Sequence, residues 1–220
     1  MKTLILAGGF GTRLAHISEG KPKPLMEVAG RSILERQIDF LLSHGMNDIR
    51  LSLHHKADQI IAFCESKWPK RFEYIVEPEP LGTGGGIRFA SKDISDPFLV
   101  VNGDILSDIN VAEFASQTPN AIVGAYQKDA RSYGLLDMYN GKVIAFKEKP
   151  TKECGGYINA GFYLLHPEVF GNAVSDKFMI EKEIFPQLAE AGKLNVFTHD
   201  GYWIDCGTEE RLRQAHEDHT

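Results

Sequence analysis

The stretch "LILAGGFGTRL", residues 4–14, decides the fold prediction. Its aliphatic run stops at three glycines, Gly8, Gly9 and Gly11, and Arg13 follows two residues later. In an open α/β sheet, ligands bind beyond the carboxyl ends of the strands, where a glycine-rich turn exposes backbone N–H groups to phosphate oxygens. An arginine beside such a turn supplies a bidentate cation. We therefore interpret the stretch as a buried strand that ends at a phosphate-binding loop.

The loop differs from the two commonest phosphate motifs. No Gly-Lys-Ser/Thr follows it, so it is not a P-loop, and its glycines do not fit the spacing G-x-G-x-x-G of the dinucleotide-binding fingerprint. The alternative interpretation of the glycines alone is a plain tight turn.

Strands and helices alternate in the first half of the chain. For the helix at 32–45, Ser32 and Glu35 predict a capping box and Gly45 a C-terminal stop. Alternation of this kind indicates βαβ units and a mostly parallel sheet. The other predicted elements are strands at 2–7, 48–53, 72–77 and 97–104, a helix at 57–66 and a helix opening at 86–92.

The second half has a different pattern. Four apolar runs are separated only by turns, which predicts an antiparallel addition to the sheet. Thr208 is placed to cap a final polar helix. The runs lie at 120–127, 134–139, 142–149 and 158–165, and a helix near 180–191 and a strand at 194–199 follow them.

Composition narrows the class of protein. The 220 residues are 43% hydrophobic and carry a formal net charge of -6, which argues against a general nucleic-acid binder. No signal peptide and no run of the ~20 apolar residues needed to span a membrane is visible, so we expect no membrane partner. Cys64, Cys154 and Cys206 lack metal-ligand spacing, which indicates free thiols in a reducing cytoplasm. For Cys206 we favour a small packing residue over a reactive thiol.

Two further motifs bring charge near the loop. In "KPKPL" (21–25) the prolines keep the backbone extended, so that Lys21 and Lys23 could reach back to the glycines; a solvated turn is the alternative. Asp104 ends the strand-like "VVNGD" and Asp205 lies in "WIDCGT". Two carboxylates at strand ends near a phosphate cradle suit Mg²⁺, although either alone is more often a turn former or a cap.

Three weaker motifs complete the set. "PLGTGGGI" (80–87) reads as a second glycine-rich strand-to-helix loop, which predicts a flat ligand between the two loops. "FKEKP" (146–150) and "INAG" (158–161) bring a carboxylate, lysines and an amide, which suit a polyhydroxylated, phosphorylated partner.

In this order the motifs resemble the sugar-1-phosphate nucleotidyltransferases, also called nucleotide-sugar pyrophosphorylases, from residue 2 to about residue 215. Among compact members the chain looks most like the D-glycero-D-manno-heptose 1-phosphate guanylyltransferases. N-acetylmuramate 1-phosphate uridylyltransferases share a similar "TGGGI". The resemblance implies a three-layer α/β/α sandwich around a mixed, mainly parallel sheet, Rossmann-like and glycosyltransferase-A-like. We expect a single domain, with a nucleotide-binding core at about 1–125 and 195–220 and an acceptor lobe at about 126–194.

The resemblance also implies roles for individual residues. Arg13, Lys23 and Asp104 would be catalytic, and Asp104 and Asp205 would hold Mg²⁺. The sugar phosphate would meet Gly134, Glu148, Lys149 and Asn159. Many relatives have an aliphatic or small residue at the position of Cys206. The nucleotide would bind to Leu6, Ala7, Gly8, Gly9, Gly11, Thr12, Arg13, Lys23, Glu77, Gly82, Thr83, Asn102 and Asp104.

The expected reaction joins a nucleoside triphosphate and a sugar 1-phosphate. A phosphate oxygen of the sugar attacks the α-phosphorus and pyrophosphate leaves, without a general base because the nucleophile is already ionised. We predict GTP, since one carboxylate, Glu77, accepts both the N1–H and the amine of guanine, whereas uracil offers one N–H flanked by two acceptors.

Several alternatives stay open at this point. A uridylyltransferase acting on N-acetylmuramate 1-phosphate keeps the chemistry, as does transfer to choline phosphate or a cofactor precursor. A catalytically silent nucleotide-sugar-binding regulatory protein is disfavoured, because Arg13, Lys23, Asp104 and Asp205 are all present. A dinucleotide-dependent oxidoreductase lacks its glycine spacing here. A homodimer is left open.

Overall fold

A computed structural model describes residues 1–147, 149–171, 173 and 175–219. The predicted alternation in the first half is confirmed, with short additional elements around it. The strands there are β1 (Lys2–Leu6), β2 (Glu27–Val28), β3 (Arg31–Ser32), β4 (Asp48–Leu53), β5 (Glu73–Val76), β6 (Phe98–Asn102) and β7 (Ile105–Ser107). The helices are α1 (Ile33–Ser43), α2 (Ala57–Lys67), α3 (Gly82–Ala90) and α4 (Val111–Phe114), with 3-10 turns at Thr12–Leu14 and Lys23–Leu25.

The predicted strands of the second half are also present. They are β8 (Ala121–Gln127), β9 (Leu135–Tyr139), β10 (Lys142–Lys147), β11 (Gly156–Leu165), β12 (Asn195–His199) and β13 (Trp203–Asp205). A 3-10 turn at Pro167–Phe170, α5 (Ile180–Glu190) and α6 (Glu209–Asp218) complete the described part. Thr208 caps α6 as predicted, accepting from the Arg211 N–H.

One mixed sheet of nine strands runs through the molecule in the order β5-β4-β1-β6-β11-β8-β12-β10-β9. Parallel pairing joins its first four strands, and β11 then runs antiparallel to both β6 and β8. The mixed sheet is therefore as predicted, but antiparallel pairings prevail beyond β6. Because β9 also pairs with β11, at Leu135 and Ile158, the far end of the sheet curls back on itself.

Helices cover both faces of the sheet, which gives the expected three layers. Alternate residues of β1 point to opposite faces: Ile5 packs with residues of α1 and α2, and Leu4 packs with residues of α3 and α5. A third, smaller core lies between α6 and the chain that follows the glycine loop. It contains Leu14, Met26, Val28, Ile33, Leu106, Ile204, Cys206 and Ala215.

The predicted capping box of α1 is half formed. The Ser32 hydroxyl accepts from the Glu35 N–H at 3.1 Å, as expected. The Glu35 carboxylate does not return to Ser32; it pairs with Arg31 at 3.1 Å and with Lys67 at 2.7 Å, which ties α1 to α2.

The prediction for "PLGTGGGI" is wrong in one respect, because its glycines belong to helix α3 and not to a loop. A segment before α5 presses on them. A Cβ on Gly84 would stand 2.2 Å from the Phe178 ring, and one on Gly85 would stand 2.2 Å from the Asp176 carbonyl oxygen. The N–H groups of both glycines donate to the Phe178 carbonyl, at 3.0 and 3.2 Å. Because Gly84 and Gly85 have no side chain, the segment around Phe178 can pack directly against helix α3.

An ion cluster around the buried Arg50 fixes the edge of the sheet at β5. The Arg50 guanidinium pairs with Glu73 and with Asp93, each at 2.6 Å, and donates to the Ala90 carbonyl at 2.7 Å. Its hydrogen bond lowers the pKa of Asp93 to about 2. The cluster joins β4 and β5 to the end of α3.

None of the helices in the described ranges is both long enough and apolar enough to cross a membrane.

Candidate active site

A cavity of about 420 Å³ opens at the carboxyl ends of β1 and β6. It is the place that the open-sheet rule predicts for a ligand. All thirteen residues predicted to bind the nucleotide line it: Leu6, Ala7, Gly8, Gly9, Gly11, Thr12, Arg13, Lys23, Glu77, Gly82, Thr83, Asn102 and Asp104. The structure thus brings the set together, while the individual roles stay predictions.

The glycine loop offers free donors to this cavity. None of the backbone N–H groups of residues 9–12 donates to another described residue. Gly11 has φ +61, a conformation that favours glycine, and a Cβ on Gly8 would stand 2.9 Å from the His54 backbone nitrogen. Arg13 is exposed and forms no ion pair with any residue that the structure describes. A turn with unused N–H groups and a free guanidinium is suited to an anion with several oxygens.

Lys23 lines the cavity and forms an ion pair with Asp104. The 3-10 turn that begins at Lys23 follows the extended Pro22, as the motif predicts. Lys21 behaves differently. It is exposed and pairs with Glu27 at 3.1 Å outside the cavity, so the prediction that it reaches the glycines is wrong.

Asp104 is held in place by its neighbours along the chain. The buried side chain of Gln37 in α1 donates to the Asn102 carbonyl at 2.7 Å and to the Ile105 carbonyl at 3.2 Å, on either side of Asp104. The Gly103 N–H donates to the Leu6 carbonyl at 2.9 Å. The sequence contains no signal for Gln37, which lies on the buried face of its helix.

Asp205 approaches Asp104 because β13 pairs with β7. The Cys206 N–H donates to the Asp104 carbonyl at 2.8 Å, so the two aspartates lie on neighbouring strand ends. Asp205 itself does not line the cavity, but Gly207 does. A Cβ on Gly207 would stand 2.6 Å from Asp205 Oδ1 and 3.3 Å from Lys23 Nζ, so both carboxylates flank Lys23.

The donor set fits a magnesium ion. Within the described ranges no group of three or more His, Cys, Asp or Glu side chains could hold a metal by itself. Mg²⁺ commonly takes one or two carboxylates and leaves its other positions to water and substrate phosphates. Asp104 and Asp205, beside a cavity with free N–H donors, match that requirement.

The opposite wall of the cavity carries Glu77. Its Oε1 accepts from the Ser52 hydroxyl and its Oε2 from the Leu81 N–H, both at 3.2 Å. A Cβ on Gly86 would stand 2.7 Å from Oε1, so this glycine of α3 makes room for the carboxylate. The carboxylate is held by two donors and keeps further lone pairs.

Several residues that line the cavity were not predicted to bind the nucleotide, and two of them, Phe10 and Met179, are large apolar side chains. Phe10 at the loop tip is 52% exposed, and its ring contacts His54 with the ring centroids 5.6 Å apart. Met179, in the segment that presses on α3, is 40% exposed. Phe10 and Met179 are large apolar side chains left open at the cavity, and their exposure becomes visible only in the folded chain.

Three of the residues predicted to bind the sugar phosphate, Gly134, Lys149 and Asn159, do not line this cavity. Gly134 and Lys149 are exposed, and Glu148 lies outside the described residues. Asn159 accepts from the Gly161 N–H at 3.0 Å and donates to the Tyr163 hydroxyl at 3.2 Å.

The "INAG" motif, which is predicted to bind the acceptor, nevertheless contacts a residue that lines the cavity. Gly161 has φ +76, and a Cβ there would stand 2.7 Å from the amide nitrogen of Asn102, which lines the cavity. The "INAG" segment is therefore adjacent to a residue predicted to bind the nucleotide, although it does not line the cavity.

Cys206 is fully buried in the small core under α6. Burial raises the pKa of its thiol to about 12, so the group stays protonated at neutral pH. These two facts support a packing role.

Comparisons with known proteins agree with this geometry. The family model "Nucleotidyl transferase" matches residues 2–220. The chain is 35% identical over 221 residues to the mannose-1-phosphate guanyltransferase of Aspergillus fumigatus and 36% identical over 226 residues to the probable mannose-1-phosphate guanylyltransferase 2 of Arabidopsis thaliana. Each alignment covers 94% of this chain but only 61% or 62% of the relative. The chain thus spans about three fifths of the length of these relatives.

Two solved structures share the fold. HddC from Yersinia pseudotuberculosis, complexed with GMP-PN, is 34% identical with a TM-score of 0.88, covering 100% of this chain and 99% of that one. The putative glucose-1-phosphate thymidylyltransferase from Bacillus anthracis has a TM-score of 0.86 at 23% identity, covering 99% and 94%, and supports the fold alone. The family match over nearly the whole chain and the cavity at the end of β1 lead to one conclusion: this chain belongs to the nucleotidyl transferase family.

Proposed function

We propose that the chain transfers a guanylyl group from GTP to a sugar 1-phosphate of the mannose or heptose type, with release of pyrophosphate. The observation that carries the proposal is the cavity itself. It combines unused N–H donors at residues 9–12 with two cations, Arg13 and Lys23, beside two aspartates. The names of the relatives, mannose-1-phosphate guanyltransferases, and the complex of HddC with GMP-PN support the guanine nucleotide and the sugar phosphate.

Catalysis by this site is positioning and charge neutralisation. The N–H groups of the glycine loop bind the triphosphate oxygens, and Arg13 grips them bidentately. Lys23 moves from Asp104 to the phosphates and offsets the charge that develops on the leaving pyrophosphate. Mg²⁺, when held by Asp104 and Asp205, supplies further neutralisation at the phosphates.

Glu77 is our proposed reader of the base. Because Ser52 and Leu81 each hold one of its oxygens, the carboxylate is oriented before a ligand binds. Each oxygen can accept a second hydrogen bond, so the N1–H and the amine of guanine have two partners. Uracil would leave the carboxylate facing carbonyl oxygens, which costs binding energy.

The acceptor side rests on the family resemblance. Lys149 would contact the sugar phosphate, Asn159 and Gly134 the acceptor, and Glu148 the sugar hydroxyls.

The state of the cysteines bears on the compartment in which we propose that the reaction takes place. All three cysteines are free thiols, which is in keeping with the reducing cytoplasm.

The test is a pyrophosphate-release assay of four nucleoside triphosphates against a panel of sugar 1-phosphates. We expect the highest kcat/KM with GTP and a requirement for Mg²⁺ or Mn²⁺. Glu77→Gln should narrow the lead of GTP over UTP, whereas the exposed neighbour change Glu79→Gln should leave it intact. A clear preference of the parent protein for UTP would overturn the guanine proposal and favour the uridylyltransferase alternative.

Matched variants test the charged groups. Asp104→Asn and Asp205→Asn should each reduce turnover by roughly 10²-fold, the usual effect of losing one transition-state contact. Asp96→Asn, at the opposite end of β6, should not. Lys23→Ala should impair turnover and Lys21→Ala should not, because only Lys23 lines the cavity. Full turnover in excess chelator would refute the metal assignment.

The acceptor assignment is tested separately. Lys149→Ala should weaken use of the sugar phosphate, while GTP affinity measured by calorimetry stays at the parent value. An equal loss of affinity for both substrates would show that the acceptor role is misplaced.

A further inference from the structure

Asp205 is embedded in a set of donors that the proposed reaction does not use. Its Oδ2 accepts from the Tyr133 hydroxyl at 2.7 Å and from an Arg211 Nη1. Its Oδ1 accepts from the Gly207 N–H at 3.0 Å, on the side where Lys23 lies. Two side chains thus hold one oxygen of the carboxylate, and the other oxygen lies beside Gly207, which lines the cavity.

The two donors also support each other. The Arg211 guanidinium lies over the Tyr133 ring, 4.7 Å from its centroid, and the edge of that ring meets Trp203 with the centroids 5.6 Å apart. Trp203 is buried and donates from Nε1 to the Ala160 carbonyl at 2.9 Å. Arg211 is itself only 21% exposed at its side chain. These contacts leave the donors little freedom to turn away from Asp205.

Tyr133 and Arg211 come from distant parts of the sequence. Tyr133 precedes β9 and is adjacent to Gly134, a residue expected to bind the acceptor, whereas Arg211 belongs to the first turn of α6. Their meeting point is the carboxylate of Asp205. The acceptor loop and the carboxylate expected to hold the metal are thus directly joined.

We propose that Arg211 and Tyr133 are positioning residues, which fix the Asp205 carboxylate so that Oδ1 is presented to a divalent cation bound together with the triphosphate. This inference rests on the proposed function, because it takes Asp205 as a metal ligand. Residues that orient a metal ligand typically contribute 10- to 100-fold to metal affinity.

An electrostatic role makes the opposite prediction. Arg211 carries a positive charge next to Asp205, so its removal would strengthen the attraction of the site for a cation if charge alone mattered. Positioning predicts weaker binding. Tyr133→Phe separates the two effects further, since it removes a donor without changing the charge and keeps the ring under Arg211.

The experiment measures the Mn²⁺ retained by the protein in equilibrium dialysis, with the same saturating concentration of GTP in both chambers so that Mn²⁺ chelated by free GTP cancels, and with no sugar phosphate. We expect Arg211→Met and Tyr133→Phe each to weaken Mn²⁺ binding, by about 10-fold for Arg211→Met. Arg211→Lys should recover part of that loss. Arg213→Met, an exposed position of the same helix, is the matched control and should bind Mn²⁺ like the parent. Thermal unfolding verifies that each variant is folded. If Arg211→Met does not fold, the Mn²⁺ affinity of Tyr133→Phe alone tests the positioning role.

Tighter Mn²⁺ binding by Arg211→Met, or parent-like binding by both variants, would overturn the inference, as would a parent that binds no Mn²⁺ under these conditions. The pyrophosphate assay runs in parallel. If the parent protein is active and both variants bind Mn²⁺ like the parent, the positioning role is refuted and the proposed reaction is not. Weakened binding in a protein that turns over no sugar phosphate refutes the proposed reaction alone.

Discussion

Substitution of Gly9 can distinguish an effect on ligand binding from an effect on the stability of the fold. A Cβ built on Gly9 has no atom within 4 Å, and its φ lies outside the left-handed region. Alanine is therefore compatible with the folded protein. Gly9 nevertheless lines the cavity, among the N–H groups that donate to no other described residue. The change Gly9→Ala should harm only the binding of a ligand that approaches this backbone closely.

The magnitudes follow from the structure. Alanine at a compatible glycine position restricts the unfolded chain, so the free energy of unfolding should stay the same or rise by about 0.4–1 kcal/mol. If the methyl group displaces one phosphate oxygen from an N–H donor, the loss is one charge-assisted hydrogen bond, about 1.5–3 kcal/mol. That corresponds to a dissociation constant for GTP roughly 10- to 100-fold higher.

Gly11→Ala supplies the contrast. Its φ of +61 disfavours alanine, and the new Cβ would stand 3.1 Å from Lys23 Cβ. This variant should lose about 1–2 kcal/mol of stability as well as affinity. Calorimetric titration with GTP and Mg²⁺, together with urea unfolding, measures both quantities. If Gly9→Ala binds GTP like the parent, or is destabilised as much as Gly11→Ala, the loop is not the phosphate cradle that we describe.

Three further predictions concern the frame of the site. Gly84→Ala should lower the free energy of unfolding by about 1–3 kcal/mol through overpacking against Phe178, measured by urea unfolding, and parent-like stability would show that the contact yields easily. With a thiol reagent at pH 8, only Cys154 should react in the native protein, because burial raises the pKa of the other two thiols to about 12; all three should react after denaturation. The pKa of Asp93 falls from 3.8 to about 2 on folding, so its contribution to stability is present above pH 3.8 and is lost as the pH falls through 2. Arg50→Met should reduce the change in the free energy of unfolding with pH between pH 3.8 and 2. If that change is the same as in the parent, the ion pair between Arg50 and Asp93 is not the cause of the pH dependence.

The elements that local sequence determines were predictable. Aliphatic runs and side-chain caps such as Ser32 and Thr208 act within a few residues, and the structure has strands and helices where they indicate them. It was also predictable that the residues expected to bind the nucleotide would lie together, because the carboxyl ends of the strands of a parallel sheet meet at one edge.

Features that depend on distant contacts were not predictable. Glycine has a low helix propensity, so "GTGGG" reads as a loop, and only its contact with residues 176–180 shows why a helix can begin there. The same holds for Asp205. Its partner Tyr133 is 72 residues away in the chain, and no local pattern connects the two. The role of Gln37 was not predictable for a similar reason. Its partners are the carbonyl groups of Asn102 and Ile105, which are more than 60 residues away in the sequence.

The ion pair between Lys23 and Asp104 has a thermodynamic consequence for ligand binding. Under the proposed function, a divalent cation at Asp104 and a triphosphate at Lys23 would each separate the same two groups. Whichever binds first bears the cost of separation, and the second finds its partner already released. Their affinities are therefore linked, and by reciprocity each strengthens the other by an equal factor. Under the proposed function, the ligand-free protein keeps this ion pair in the cavity, and the ion and the nucleotide would bind cooperatively.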